Sequence, residues 1–140
     1  MRGAGLAMHM DRAKLQNLSY AILRIISGAL FSFHGVQKIF GILSEHGQPP
    51  VGSQIWIGGM IELVCGLAIA LGLFTRIAAF LASGTMAVAY IQFHWKGAMG
   101  PEFFPAVNGG ELAVIYCFVF LAICAHGPGM VSLDRLRGKA

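Results

Sequence analysis

Apolar residues fall along this chain in four long runs, separated by short breaks of glycine, proline and charge. The runs cover residues 18–40, 55–74, 76 or 77–95, and 109 or 111–125. A helix that crosses a bilayer needs about 20 mostly apolar residues, so each run reads as one crossing. The remaining segments are too short for a second domain. Period-two alternation is absent, and Ala, Leu, Ile, Met and Gly dominate the runs, which favours helix over strand. The fold predicted is all-α: a transmembrane four-helix bundle over residues 18–126, with an N-terminal segment at 1–17 and a basic tail at 127–140.

The breaks fix the order of the helices. Only Leu73, Phe74, Thr75 and Arg76 separate the second run from the third, and so short a turn demands an antiparallel hairpin. The first break carries Pro49 and Pro50, and the third carries Gly97, Gly100, Pro101 and Pro105, so both lie outside the membrane. Phe103, Phe104, Trp56 and Trp95 stand where an interfacial aromatic belt would be. Gly58, Glu62 and Gly66 recur every four residues on one face of the second helix, a spacing that predicts a close packing seam.

Composition turns this pattern into a statement about solvent. Of the 140 residues, 56% are hydrophobic and 11% charged, against about 45–50% and 25% in soluble domains. Mean hydropathy is +0.70. A disordered chain and a disulfide framework are both excluded, the latter because there are three cysteines. The lipid bilayer is the first partner. The net charge of +4 sits in clusters beside the apolar runs, which suits anionic headgroups and not nucleic acid. Arg2, Arg12 and Lys14, then Arg76, then Arg135, Arg137 and Lys139 fall on one side of a four-span topology, while the other side has only Lys38 and Lys96. Both termini are therefore expected in the cytoplasm. Arg24 interrupts the first run, and no cleavable signal peptide is expected.

Ionisable groups inside a spanning helix are expensive and are candidates for function. They are Arg24, His34, Lys38, Glu62, His94 and Glu111. At about 1.5 Å per residue, His34 lies roughly 9 Å and Glu62 roughly 10 Å below the outer ends of their helices. Lys38 stands one turn from His34. His94, Glu111 and its neighbour Asn108 fall at a similar level. The expectation is one polar pocket of His34, Lys38, Glu62, His94, Asn108 and Glu111, near the periplasmic face.

Arg24 and Arg76 fall at the opposite level, where long side chains snorkel to headgroups as anchors. Plainer roles stand beside these. Lys38 can anchor at the interface, Glu62 can serve as a structural partner of Lys38 or His34, and Glu111 complements the positive end of its helix. His34 and His94 read as packing histidines before metal or haem ligands, and no metal site is expected. Cys65, Cys117 and Cys124 lack CxxC spacing and read as small packing residues.

The run His34-Gly35-Val36-Gln37-Lys38-Ile39-Phe40-Gly41 resembles the HGxxKxFG segment of the DoxX family. The segments 59–66, 71–79, 108–113 and 127–134 resemble its later hairpin and closing motifs. The resemblance implies a small four-helix bacterial inner-membrane protein. It also implies an accessory subunit of a quinone-linked redox system, with quinone as the possible cofactor and a membrane or peripheral redox protein as partner. If there is any catalysis, it is that of an oxidoreductase-associated subunit. A membrane scaffold for a partner protein and a small-solute or lipid binding or transport module are the competing readings, with a homo-oligomer as a further assembly to expect.

Overall fold

The computed structural model describes residues 2–45, 47–97 and 99–138; the side chains of residues 2–10 and all of Lys139 lie outside that description. Among the described residues the chain is helical, with no strand. The principal helices are α1 (Arg2–Phe40), α2 (Gln54–Leu71), α3 (Thr75–Ala89) and α5 (Glu111–His126). The last turns of α3 continue as a π-helical segment, Tyr90–Trp95. A 3-10 turn (Pro101–Phe103) and the short helix α4 (Pro105–Asn108) carry the connection to α5, and α6 (Leu133–Leu136) closes the chain. Three stretches are long and apolar enough to cross a membrane: Asp11–Phe40, Gln54–Leu71 and Thr75–Trp95. The fourth predicted run forms a shorter apolar helix of 16 residues. Helix α1 begins well before the first apolar run, because residues 6–17 hold mostly good helix formers and no proline.

Helices α1 and α2 interlock through glycines. A Cβ on Gly28 would lie 2.7 Å from Gly66 O, and one on Gly35 would lie 2.7 Å from Gly59 O. Only glycine permits this approach, the usual means of pairing helices where lipid offers no hydrophobic drive. The expected seam of Gly58, Glu62 and Gly66 is thus corrected by one position. Gly59 and Gly66 face α1, whereas a Cβ on Gly58 would meet nothing within 4 Å. One residue turns a helix by about 100°, so a spacing of four leaves the facing direction open by that much. Helix α5 packs on α3, with Tyr116, Phe120 and Ile123 buried together with Ala79, Ala82 and Met86. Ser83 Oγ donates to Cys117 O across that contact, at 2.8 Å.

One end of the molecule is closed by the 72–75 turn. Gly72 and Phe74 both take left-handed conformations there, with φ of 68° and 47°. The segment after α5 folds back across this turn. Asp134 N donates to Gly72 O at 2.8 Å, and Tyr20 Oη donates to Gly127 O. The tail is therefore part of the core at this end, with Ser132 and Asp134 buried. We refer to this as the turn end, and to the opposite end, with residues 41–53 and 96–110, as the loop end.

Candidate functional site

Arg24 comes from the middle of α1 and is fully buried, so it is not a headgroup anchor. Its guanidinium donates to Ile69 O and, at 2.8 Å, to Ala70 O, two of the last carbonyls of α2, and at 2.6 Å to Val131 O of the returning tail. A cation at a helix C-terminus satisfies orphan carbonyls and complements the dipole. The hydropathy pattern places Arg24 at the correct level but cannot show that α2 ends beside it.

Arg76 performs the same service for α5. Its Nη1 donates to Cys124 O and Ala125 O, both at 2.8 Å, although the side chain is exposed. Asp134 caps the other side of the turn, accepting from Phe74 N, Thr75 N and Thr75 Oγ1, each at 2.9 Å. Burial pushes the Asp134 carboxyl up. The hydrogen bonds from Thr75 and Phe74 and the nearby Arg137 outweigh that and hold it below the ordinary carboxylate range. Sequence reasoning gave Asp134 no role; the available signal was a serine followed two residues later by an acid, at the start of the closing segment.

At the loop end the polar residues divide. Lys38 and Glu62 meet: Lys38 Nζ stands 2.5 Å from Glu62 Oε1 and links α1 to α2. The lysine side chain is 36% exposed and the glutamate side chain 3%. Glu62 Oε2 is buried and has no hydrogen-bond partner among the described residues. Leaving such an oxygen unpaired costs about 1–3 kcal/mol, and more for a charged group.

Glu62 lies on the wall of a cavity of about 600 Å³ between α2 and α3. The cleft wall of α2 is Gln54, Ile57, Gly58, Ile61 and Glu62; that of α3 is Phe80, Leu81, Gly84, Thr85 and Val88, with Phe93 and His94 beyond. Phe93 and His94 follow Val88 and Ala89 by five residues. Five is the π repeat, which the bond from Lys96 N to Ile91 O carries at 3.0 Å. A second cavity of about 610 Å³ lies beneath the 41–53 connection, lined by His34, Gln37, Lys38, Ser44 and Glu45 among others. Lys38 and Ile55 border both cavities.

Of the remaining candidates, His94 alone shares a cavity with Glu62. The His34 ring stands edge-on to Tyr116, with centroids 6.3 Å apart, and opens on the second cavity. His94 lines the first, with Nδ1 3.3 Å from Asn108 O. Asn108 organises its own loop: its Oδ1 accepts from Gly110 N at 2.9 Å and its Nδ2 donates to Glu102 O at 3.0 Å. Glu111 is exposed at the first residue of α5, where its charge suits the helix dipole, and it lines neither cavity. The single pocket expected from depth is therefore two cavities meeting at Lys38, with Asn108 and Glu111 outside both. The acceptor left open at Glu62, the flexible cation beside it and the apolar walls suit the polar head of a membrane-soluble molecule. Among the described residues no group of three His, Cys, Asp or Glu side chains comes together as a metal site.

Comparison with known proteins gives the same picture of a membrane chain. The DoxX family model matches residues 19–95. A protein of Haemophilus influenzae described as uncharacterised is 43% identical over 118 residues, covering 82% of this chain and 87% of its own. An uncharacterised membrane protein of Mycobacterium tuberculosis is 29% identical, covering 86% and 82%. The Escherichia coli inner membrane protein YqjF is 30% identical, covering 90% and 97%. No solved structure matches the chain. With its apolar helices and these relatives, the chain is a multi-pass membrane protein and belongs to the DoxX family.

Proposed function

We propose that this protein is an accessory subunit of a quinone-linked redox system in the inner membrane, holding a quinone-type headgroup in the α2–α3 cleft. The observation that carries the reading is Glu62, which lines a mostly apolar cleft and whose buried Oε2 has no hydrogen-bond partner among the described residues. When bound, a quinone supplies reversible two-electron, two-proton chemistry. The chain's own residues do the rest. Glu62 accepts a hydrogen bond from a hydroxyl of the reduced head. Lys38, a third exposed and so able to swing, donates to a carbonyl of the oxidised head. Ile57, Ile61 and Phe80 exclude water from that contact. A membrane or peripheral redox protein would be the partner that exchanges electrons with the bound group.

We also propose four spans with both termini in the cytoplasm. Tyr20, the 72–75 turn, the end of α5 and the tail all meet at the turn end, and this supports that topology. So does the excess of Arg and Lys beside these segments.

Purification in mild detergent, followed by mass spectrometry for quinones and co-purifying proteins, tests the proposal. Wild type should retain quinone, and Glu62→Gln should retain about tenfold less, the worth of one charge-assisted hydrogen bond. A wild-type sample with neither quinone nor a redox partner overturns it.

A further inference from the structure

A molecule resting against Glu62 could reach it from the water at the loop end or sideways from the bilayer, and the two routes differ in what borders them. At the loop end a side-chain link crosses the cleft, and an ion pair and a histidine contact stand beside it. Gln54 Nε2, on the first turn of α2, donates to Gln92 Oε1 in the π segment. Lys38 closes against Glu62, and His94 is held beside Asn108 O. Along the helix flanks no such link is present among the described residues. A Cβ on Gly58 or on Gly84 would meet nothing within 4 Å, and both glycines line the cleft. Neither has a positive φ, so the turn geometry does not require glycine there. Ile57, Phe80 and Leu81 around the gap are 50%, 64% and 49% exposed, on helices long and apolar enough to span. The α1–α2 side shows the contrast: at Gly59 and Gly66 an added Cβ would collide with α1.

We infer that the cleft is filled sideways from the bilayer, through the gap bordered by Gly58 and Gly84, by a lipid-dissolved molecule whose head is a hydroxyl-bearing ring. The inference deepens the proposed function and rests on its reading of the Glu62 end as a binding site. The head must donate, because Oε2 of Glu62 is the open group and a carboxylate only accepts. A neutral hydroxyl fits better than an amine, because the Lys38 ammonium is already 2.5 Å from Oε1 and would repel a second cation. Phe80 and Phe93 line the cleft, and aromatic side chains are favourable neighbours for a ring. A volume of about 600 Å³ takes a ring and the first part of a tail.

The test uses the full chain in liposomes and two photoactivatable phenols that share one diazirine-bearing head. One carries a long alkyl chain and dissolves in the bilayer; the other carries a sulfonate and stays in water. Labelled residues are located by mass spectrometry. The alkylphenol should label the α2 and α3 walls of the cleft and the sulfonated phenol should not. Gly58→Leu combined with Gly84→Leu should bring that labelling to background while thermal stability is kept, since the added side chains enter free space. Gly84→Val alone should give a partial block, and it serves in place of the double variant should that fail to fold. Glu62→Gln should lower the labelling several-fold.

Equal labelling by the sulfonated phenol, or full labelling of the blocked variants, overturns the sideways route and leaves the site standing. Labelling indifferent to Glu62→Gln assigns the cleft to acyl chains and overturns the hydroxyl head. No cleft labelling by either phenol overturns the inference, and quinone retained by the purified protein would then show that the proposed function survives it.

Discussion

At the turn end, a buried arginine and a buried aspartate are set against backbone groups that helices leave over; at the loop end, a buried glutamate that lines a cavity has one oxygen set against a lysine and the other without a partner among the described residues. At the turn end Arg24 and Asp134 each make three hydrogen bonds, and they tie α1, the α2–α3 turn and the tail into one unit. Arg24 Nε is left without a partner among the described residues, yet Arg24 lines neither cavity. At the loop end the residue that carries the unpartnered atom lines a cleft large enough for a ligand. An orphaned polar atom therefore means different things according to what lies beside it: beside packed backbone it is a residual cost, and beside a cavity it is an offer.

The largest effect should come from Arg24→Ala. Losing three bonds from a buried cation and leaving α2 carbonyls unpaired should cost about 3 kcal/mol or more, measured as loss of thermal stability in detergent. A small loss would erase the contrast between the ends.

Next comes the ion pair, whose two halves should behave unequally. Lys38→Met leaves a buried carboxylate without its cation and should cost up to about 3 kcal/mol. Glu62→Gln leaves a lysine that is already partly exposed and should cost less than half of that. Equal losses would mean that Glu62 is there for stability.

Asp134→Asn should cost about 1–2 kcal/mol near neutral pH, as the loss of a helix cap does. Its folded carboxyl is held below the usual value, so its contribution is present above about pH 4, the unfolded value, and is lost as pH falls through the folded value. Wild type and Asp134→Asn should therefore converge in acid and keep a constant difference from pH 5 to 8. A difference that grows in acid would contradict the capping role.

The smallest effect sharpens the glycine comparison. Gly58→Ala should be neutral or stabilising by up to about 1 kcal/mol, because alanine favours helix and the site is open. Gly59→Ala should destabilise by about 1–3 kcal/mol, because the new methyl would meet Lys38 Cβ at 2.7 Å. Thermal melts of the two neighbours, side by side, decide it.

What the sequence made legible was axial. Hydropathy marked the helices, and counting residues put Lys38 and Glu62 at one level, where they do meet. What stayed hidden was azimuth and closure. Nothing in the spacing told Gly58 from Gly59, since both fit a small-residue stripe. Asn108 and Glu111 share the level of Glu62 but turn to a loop and to solvent. The π segment that brings Phe93 and His94 onto the cleft is one residue out of the helical period, which a regular repeat cannot anticipate. Arg24 and Asp134 were hidden for another reason: their partners lie 45 and 59 residues away, across contacts that only the folded chain creates.

The glycine interlock also has a mechanical side. Gly28 and Gly35 on α1, and Gly59 and Gly66 on α2, are each spaced by seven residues. Along a helix that is a notch of about 10.5 Å. Between notches the backbones would have to part before one helix could glide along the other. The pair thus behaves as a ratchet with a single usable tooth, and the height at which Lys38 faces Glu62 is set by four residues that have no side chain.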